Sequence, residues 1–205
     1  MSIQDWPKSE RPRERLMALG PAALSDAELL AILIGSGTNK QSALAVARHS
    51  LGEFGGLRNL FRSDVKGFCQ IRGLGPGKYA LLQASMELCR RHLKERLRHP
   101  KGITGPGQSE AFLKAHLRDR HREVFCCLFL DNRHRMVHFE ELFAGTLNGT
   151  PVYPREVVRI ALKHRAAAVI LAHNHPSGVA EPSQADHAIT HRLTEALNLM
   201  DIRVL

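Results

Sequence analysis

Two apolar runs in the second half of the chain have the length and composition of buried strands. The first is Val124–Leu130 (VFCCLFL) and the second is Ala166–Ala172 (AAAVILA). Neither run alternates with polar residues, which predicts strands covered on both faces. Between them, Met136–Phe139 follows the turn residues Asp131 and Asn132. It is predicted to return as the second strand of a hairpin.

The segments around these strands have the caps and periodicity of helices. Helices are predicted from Ser109 to about His121, over Arg155–His164 with Pro154 in the first turn, and over Gln184–Leu199. Ile202–Leu205 begins a further strand. Helices and strands mixed in this way predict an α/β (α+β) sandwich.

The first half of the chain has only helical patterns. The predicted helices are one capped by Ser25-Asp26 and ended by Gly35-Ser36-Gly37, one from Ser42 through Leu51, a short one between Ser63 and Ile71, and a long one with an apolar stripe of Leu82, Met86, Cys89, Leu93 and Leu97. The stretch Pro100–Gly107 (PKGITGPG) has the composition of a linker. We therefore predict an all-helical region, 1–99, followed by a mixed domain, 104–205.

The amino-acid composition and the lengths of the apolar runs are typical of a soluble globular protein. The chain has 205 residues, of which 43% are hydrophobic, as in ordinary soluble globular proteins. Its longest apolar runs are far short of the roughly 20 residues that cross a bilayer, and the N-terminus lacks the apolar core of a secretory signal. A cytoplasmic protein without a membrane partner is expected. Four cysteines, Cys69, Cys89, Cys126 and Cys127, show no Cys-x-x-Cys spacing and are predicted to be buried reduced thiols.

The charge of the chain is compatible with a polyanionic partner such as DNA, RNA or an acidic surface. The formal net charge is +9 and the isoelectric point is near 9.9. The segment Gly73-Leu74-Gly75-Pro76-Gly77-Lys78 lies between two predicted helices, as in a helix-hairpin-helix. Bare backbone N–H groups at Gly73, Gly75 and Gly77, with the ammonium of Lys78, would contact DNA phosphates. The alternative is a hairpin that only connects two packed helices.

Another glycine-rich segment, GSGTNK at 35–40, invites comparison with a phosphate-binding loop. It lacks both the full spacing of that motif and a preceding strand. We therefore interpret it as a connection between scaffold helices.

The candidate chemistry begins where the second apolar run ends. His173 and His175 are two residues apart, so on an extended backbone their rings point to the same side, with Asn174 facing away. Pro176 and Gly178 then break the strand, and Asp186 follows in the first turn of a predicted helix. Two imidazoles and one carboxylate form a three-ligand set for Zn²⁺, which leaves a fourth position for water. Ser183 and Asp186 also have a structural interpretation, as a capping box that opens the helix.

These residues carry a resemblance to a known family. His-x-His-Pro followed by Ser-x-x-Asp resembles the JAMM metal signature of the JAB/MPN metalloprotease superfamily. HNHPSG, together with the upstream GTLNGTPVYPREVVRIAL (145–162), resembles the bacterial RadC-like family, whose members are often labelled DNA repair proteins. The resemblance covers nearly the whole chain. It implies a helix-hairpin-helix region followed by a three-layer JAB/MPN-like domain, whose pattern continues for another strand or two after Leu205.

The resemblance also implies a catalytic group beside the metal. In JAMM enzymes a glutamate stands at the start of a strand ahead of the histidines, which here is matched best by Glu123; Glu140 and Glu141 are the alternatives. Such a carboxylate takes a proton from water and delivers it to the leaving amine. In the family pattern, Ser183 donates a hydrogen bond near the scissile carbonyl.

Two functions follow from these patterns. The first is a zinc-dependent metallopeptidase or isopeptidase, with a peptide or protein substrate, attached to a DNA-contacting hairpin. The second is a non-enzymatic DNA-binding protein in which a metal only stabilises the fold or is vestigial. Bound zinc at an open site favours the first, and salt-dependent DNA binding without metal favours the second.

Overall fold

The computed structural model describes residues 5–120, 122–144, 152–176 and 181–205. The chain divides into two compact units, Met1–Leu88 and Cys89–Leu205, each with its own core. The predicted fold class is confirmed, because a helical N-terminal part precedes a four-stranded sheet with helices. The division into domains 1–99 and 104–205 stays a prediction. Among the described residues, no helix is both long enough and apolar enough to cross a membrane.

Within its described residues, the first unit contains helices and no strands. Its elements are two single-turn helices (Lys8–Glu10 and Pro21–Ala23), α1 (Pro12–Leu19), α2 (Asp26–Ile34), α3 (Ala43–Phe54), α4 (Leu57–Arg62), α5 (Val65–Cys69) and the beginning of α6 (Pro76–Leu97). The serine caps predicted for α2 and α3 are present. Ser25 and Glu28 form a capping box, and the Ser42 side chain accepts a hydrogen bond from the Ala45 N–H.

Apolar side chains from α2, α3, α4, α5 and the beginning of α6 fill the core of this unit. The residues with the least exposure include Leu30, Val46, Ala47, Leu60, Phe68 and Leu82. The turn before α6 packs closely on this core. Gly73 has a φ of +95°, and a Cβ there would lie 2.8 Å from Thr38 Cγ2. Glycine is therefore required at 73 both by the backbone conformation and by the close approach.

The second unit is built on a mixed sheet. Its elements are α7 (Pro106–Leu117), β1 (Val124–Leu130), β2 (Met136–Ala144), α8 (Pro154–Lys163), β3 (Ala168–His173), α9 (Gln184–Asn198) and β4 (Arg203–Val204). The strand order is β2-β1-β3-β4. Strand β1 is antiparallel to β2 and β3, and β3 is parallel to β4.

The two faces of β1 pack against different helices. Phe125, Cys127 and Phe129 pack with α8 and α9, while Leu128 and Leu130 pack with α7 and the end of α6. Every residue of β1 is buried, as the unbroken apolar run predicted. The sheet therefore lies between two helical layers, which is the three-layer arrangement expected for this part of the chain.

The segment predicted as a linker makes contacts within the second unit. Leu97 is 1% exposed in the core with α7 and β1. The Ile103 N–H donates to the His134 carbonyl at 2.8 Å, and a Cβ on Gly102 would lie 2.0 Å from the Arg133 carbonyl oxygen. Leu97, Gly102 and Ile103 are thus packed against their own unit, although the glycine and proline content of residues 100–107 is that of a linker.

The largest differences from the predicted element boundaries are at the start of α7 and the end of β2. Helix α7 begins at Pro106, because proline suits the first turn of a helix, and Ser109 lies inside the helix with its hydroxyl donating to the Pro106 carbonyl. The predicted helix end at His121 lies outside the described residues. Strand β2 continues to Ala144, five residues beyond the predicted end at Phe139, so Glu140 and Glu141 are strand residues.

Candidate metal centre

The end of β3 positions the first histidine. His173 is the last residue of the strand and is paired with Phe125 of β1. The strand is held in the core by Ala168 and Val169, which have no exposed surface. Because side chains alternate along a strand, His173 lies on the same face as Val169, towards α8 and α9. His175 follows two residues later, beyond the last strand pair.

The start of α9 positions the carboxylate. Ser183 is the N-cap, and its hydroxyl oxygen accepts a hydrogen bond from the Asp186 N–H at 3.2 Å. In return, both the Ser183 N–H and the Ser183 hydroxyl donate to Asp186 Oδ2 at 2.7 Å. This is the capping box that the sequence predicted, and it uses one carboxylate oxygen. Asp186 Oδ1 has no part in it.

The three predicted ligands come together at one point. His173 Nε2 lies 2.7 Å from His175 Nε2 and 3.1 Å from Asp186 Oδ1. His175 Nε2 lies 3.6 Å from Asp186 Oδ2. The three side chains are 21%, 23% and 19% exposed, so the cluster is accessible without being fully solvated. Among the described residues this is the one group of His, Cys, Asp and Glu side chains close enough to share a metal ion.

The geometry and charge of the cluster fit a zinc ion. With metal–ligand bonds of about 2.0–2.1 Å, the ligand atoms of a tetrahedral zinc are roughly 3.3 Å apart. The two separations that His173 Nε2 makes, 2.7 Å to His175 Nε2 and 3.1 Å to Asp186 Oδ1, are close to that distance, and one ligand atom from each of the three residues lies within 4.8 Å of the others. Burial raises the pKa of Asp186, but the hydrogen bonds from Ser183 and the nearby histidines outweigh it and lower this pKa below its ordinary value. The carboxylate is therefore ionised and ready to bind a cation.

Asn174 connects the loop that carries His175 (residues 174–176, called the histidine loop) to the start of β1. Its Oδ1 accepts a hydrogen bond from the Val124 N–H at 2.9 Å, and its Nδ2 donates to the Arg122 carbonyl at 3.1 Å. Glu123 lies between these two bonded residues and is partly buried. Extended by two residues, the β1–β3 register pairs Glu123 with His175. The sequence predicted only that Asn174 faces away from the histidines, and no local pattern marks these long-range bonds.

The two alternative glutamates have partners on β2 or next to it. Glu140 Oε2 lies 2.9 Å from His138 Nε2, and the His138 ring stacks on His164 with 3.8 Å between centroids. Glu141 is paired with Arg120. Both glutamates are on β2, which is separated from β3 by β1. Glu123 adjoins the histidine loop more directly.

The residues predicted to contact DNA lie in the turn before α6 and in its first turn. The Lys78 ammonium donates to the carbonyls of Ser36 and Gly73, the latter at 2.8 Å. Desolvation lowers the pKa of Lys78 from its ordinary value. At Gly75 and Gly77 an added Cβ would meet nothing within 4 Å, so that side of the turn is open. Lys78 thus has a structural role that the sequence did not indicate.

Parts of two predicted motifs lie outside the described residues. These are Gly178, predicted to help end the strand, and residues 145–151 of the upstream segment.

Comparison with known proteins identifies the family. A RadC-like JAB domain model matches residues 103–205, and a UPF0758 N-terminal model matches residues 3–80. A UPF0758 protein of Thioalkalivibrio sulfidiphilus is 60% identical over the whole chain, which covers 92% of that relative. UPF0758 proteins of Aeromonas hydrophila and Halorhodospira halophila are each 58% identical with the same coverage. The chain therefore belongs to the UPF0758 family, and its C-terminal part is a RadC-like JAB domain, as the resemblance implied.

Proposed function

We propose that this chain is a zinc-dependent hydrolase that acts on peptide or isopeptide bonds. The observation that carries the proposal is the convergence of His173, His175 and Asp186 from a strand end and a helix start. Three protein ligands with a free fourth position are typical of catalytic zinc, whereas structural zinc is normally enclosed by four protein ligands, mostly cysteines. No cysteine within the described ranges belongs to the cluster. Membership in a family with a JAB domain supports a hydrolase-type fold.

In the proposed reaction, the metal ligands and the catalytic base have different roles. Zinc bound by the three side chains would polarise a substrate carbonyl and lower the pKa of a water towards about 7. Glu123 would accept the proton of the attacking water and pass it to the nitrogen of the leaving amine as the C–N bond breaks. The position of Glu123, held between two residues that bond to Asn174, supports this role.

Ser183 has a defined role in the proposed site even before substrate binds. Its hydroxyl and N–H both donate to Asp186 Oδ2, which orients the carboxylate towards the histidines. The family pattern gives this serine a hydrogen bond near the scissile carbonyl. To make that bond, the hydroxyl has to turn away from Asp186, and the N–H would then hold the carboxylate alone.

The function is tested by separating metal binding from hydrolysis. Zinc content and cleavage of quenched peptides and isopeptide-linked lysine substrates are measured for the unmutated chain, Glu123→Gln and His175→Ala. Glu123→Gln is expected to keep zinc and lose hydrolysis, because an amide cannot relay the proton, while His175→Ala loses both. Glu195→Gln, which changes an exposed carboxylate of α9, is the control. Full activity in Glu123→Gln would reassign the base to Glu140 or Glu141.

A second candidate function, DNA binding, is favoured by the net charge of +9 and by the open side of the turn at Gly75 and Gly77. Gly77→Asp tests it without removing the Lys78 hydrogen bonds. An acidic residue suits the first turn of α6, so folding is preserved, while its charge repels a phosphate. Affinity for unrelated DNA sequences is expected to fall about equally, measured by fluorescence anisotropy at several salt concentrations. Gly52→Asp, in α3, carries the same charge change; equal affinity in the two variants would remove this turn from the DNA contact.

A further inference from the structure

We propose that a basic cavity in the first unit binds phosphate groups. The cavity has a volume of about 880 Å³ and lies between the start of α1 and the connection from α2 to α3. This volume is within the range of pockets that hold small ligands, about 300–1,000 Å³. It belongs wholly to the first unit, whereas the proposed metal centre belongs to the second, so it is a separate site.

The charged side chains that line the cavity are mostly cationic. They are Arg11, Arg13, Lys40 and Glu14. Arg11 is engaged, because it pairs with Glu14 at 3.6 Å and donates to the Trp6 carbonyl. Within the part of the chain that the structure describes, the guanidinium of Arg13 and the ammonium of Lys40 have no hydrogen-bond or ion-pair partner; the Lys40 backbone N–H donates to Thr38 Oγ1. Two uncompensated positive charges therefore face one concave surface, which concentrates anions there.

The loop that forms one wall of the cavity is braced. The Thr38 N–H donates to the Gln41 carbonyl at 2.8 Å, and Thr38 Oγ1 accepts from the Gln41 N–H at 3.1 Å. A Cβ on Gly37 would lie 2.0 Å from the Gln41 carbonyl oxygen, so only glycine permits this turn. The Lys78 ammonium holds the Ser36 carbonyl from outside the loop. A wall fixed in this way needs little ordering when a ligand binds.

Phosphate is the chemistry that this charge pattern favours. A guanidinium presents a planar set of donors that matches phosphate oxygens, and an ammonium adds a point charge. Threonine, asparagine and glutamine side chains of the same loop supply further polar groups (Thr38, Asn39 and Gln41). The loop is not a nucleotide-binding P-loop, since it connects two helices and has a different spacing. The phosphates could belong to a free nucleoside polyphosphate or to a nucleic-acid backbone.

The experiment measures the affinity of the full chain for three probes by isothermal titration. The probes are ATP, a ten-nucleotide single strand of thymidylate, and adenosine, which lacks phosphate. The test variant is Arg13→Ala/Lys40→Ala, and Arg13→Lys/Lys40→Arg keeps both charges. The matched control is Arg48→Ala/Lys66→Ala, which removes two exposed cations of the same unit that do not line the cavity. Thermal unfolding without probe is recorded for every variant.

At least one phosphorylated probe is expected to bind about tenfold more weakly to Arg13→Ala/Lys40→Ala than to the control, with binding restored in the charge-keeping variant. Loss of affinity for ATP identifies a free phosphorylated ligand. Loss of affinity for the oligonucleotide alone identifies a nucleic-acid backbone. The proposal is overturned if the test and control variants weaken binding equally, if no phosphorylated probe binds, or if adenosine binds as tightly as ATP. If the test variant changes thermal stability but not the affinity for any probe, Arg13 only stabilises the nearby C-terminus of α2. That result would also overturn the proposal.

Discussion

The side-chain oxygen of Asn174 lies 2.9 Å from the backbone nitrogen of Val124, which joins the loop between the two histidines to the first strand of the sheet. The Asn174 amide nitrogen makes a second bond, to the Arg122 carbonyl. These bonds hold the backbone on both sides of Glu123. The middle residue of the His-x-His motif therefore ties the proposed catalytic base to the proposed metal ligands.

Replacing Asn174 is expected to lower hydrolysis while zinc stays bound. Asn174→Ala leaves the Val124 N–H and the Arg122 carbonyl without their partner, which costs on the order of 1–3 kcal/mol of unfolding free energy. The altered position of Glu123 is expected to lower the hydrolysis rate by about tenfold or more. Zinc content, hydrolysis rate and thermal unfolding are measured together.

Asn59→Ala is the control for Asn174, because Asn59 also donates to a backbone carbonyl, that of Phe54, but in the first unit. It is expected to reduce stability without changing hydrolysis. If Asn174→Ala retained the full hydrolysis rate, Asn174 would have no part in positioning the base.

Removing the Ser183 hydroxyl is expected to weaken both α9 and the metal site. Ser183→Ala eliminates the helix cap, at a cost of about 1 kcal/mol, and one of the two hydrogen bonds that orient Asp186. Loss of such an orienting bond typically lowers metal affinity by about 10–100-fold. Zinc affinity is measured by competition with a chromophoric chelator. Ser42→Ala, which removes the cap of α3, should cost similar stability and leave zinc affinity unchanged; an equal effect of the two variants on zinc would contradict the orienting role.

The four free cysteines are expected to differ in reactivity. Burial, with a smaller contribution from Glu141, raises the pKa of Cys126 to about 12, and burial also raises that of Cys127. Since the thiolate is the reactive form, neither thiol should react with Ellman's reagent at pH 8 in the folded chain. Cys89 is exposed, so its predicted burial is wrong, and it should react at once. Rapid reaction of Cys126 in a Cys89→Ser variant under native conditions would show that β1 is not stably buried.

Features encoded by neighbouring residues could be predicted from the sequence. The buried strands follow from unbroken apolar runs, as in Val124–Leu130, and the capping box at Ser183 follows from the three-residue spacing of serine and aspartate. The approach of His173 and His175 follows from strand alternation. The start of α7 was misplaced because two local signals compete there, and proline at the first turn prevailed over the serine three residues later.

Features that depend on distant residues could not be predicted. The Lys78 ammonium bonds to the Ser36 carbonyl, and the Asn174 amide bonds on both sides of Glu123, and each pair is far apart in the sequence. The packing of Ile103 against the β1–β2 turn is of the same kind. Tertiary contacts of this sort leave no periodic signal, so a lysine or an asparagine that braces the fold resembles one on the surface.

The proposed hydrolase activity depends most directly on the metal, and metal analysis of the purified full chain tests it. We expect about one zinc per chain in the unmutated protein and in His191→Ala, since His191 is an exposed histidine of α9 outside the cluster. His173→Ala is expected to bind much less than one zinc, because two of three ligands do not hold the ion tightly. If the unmutated chain binds no metal, or if His173→Ala binds as much zinc as His191→Ala, the proposed metal centre is wrong, and so is the proposal of a zinc-dependent hydrolase.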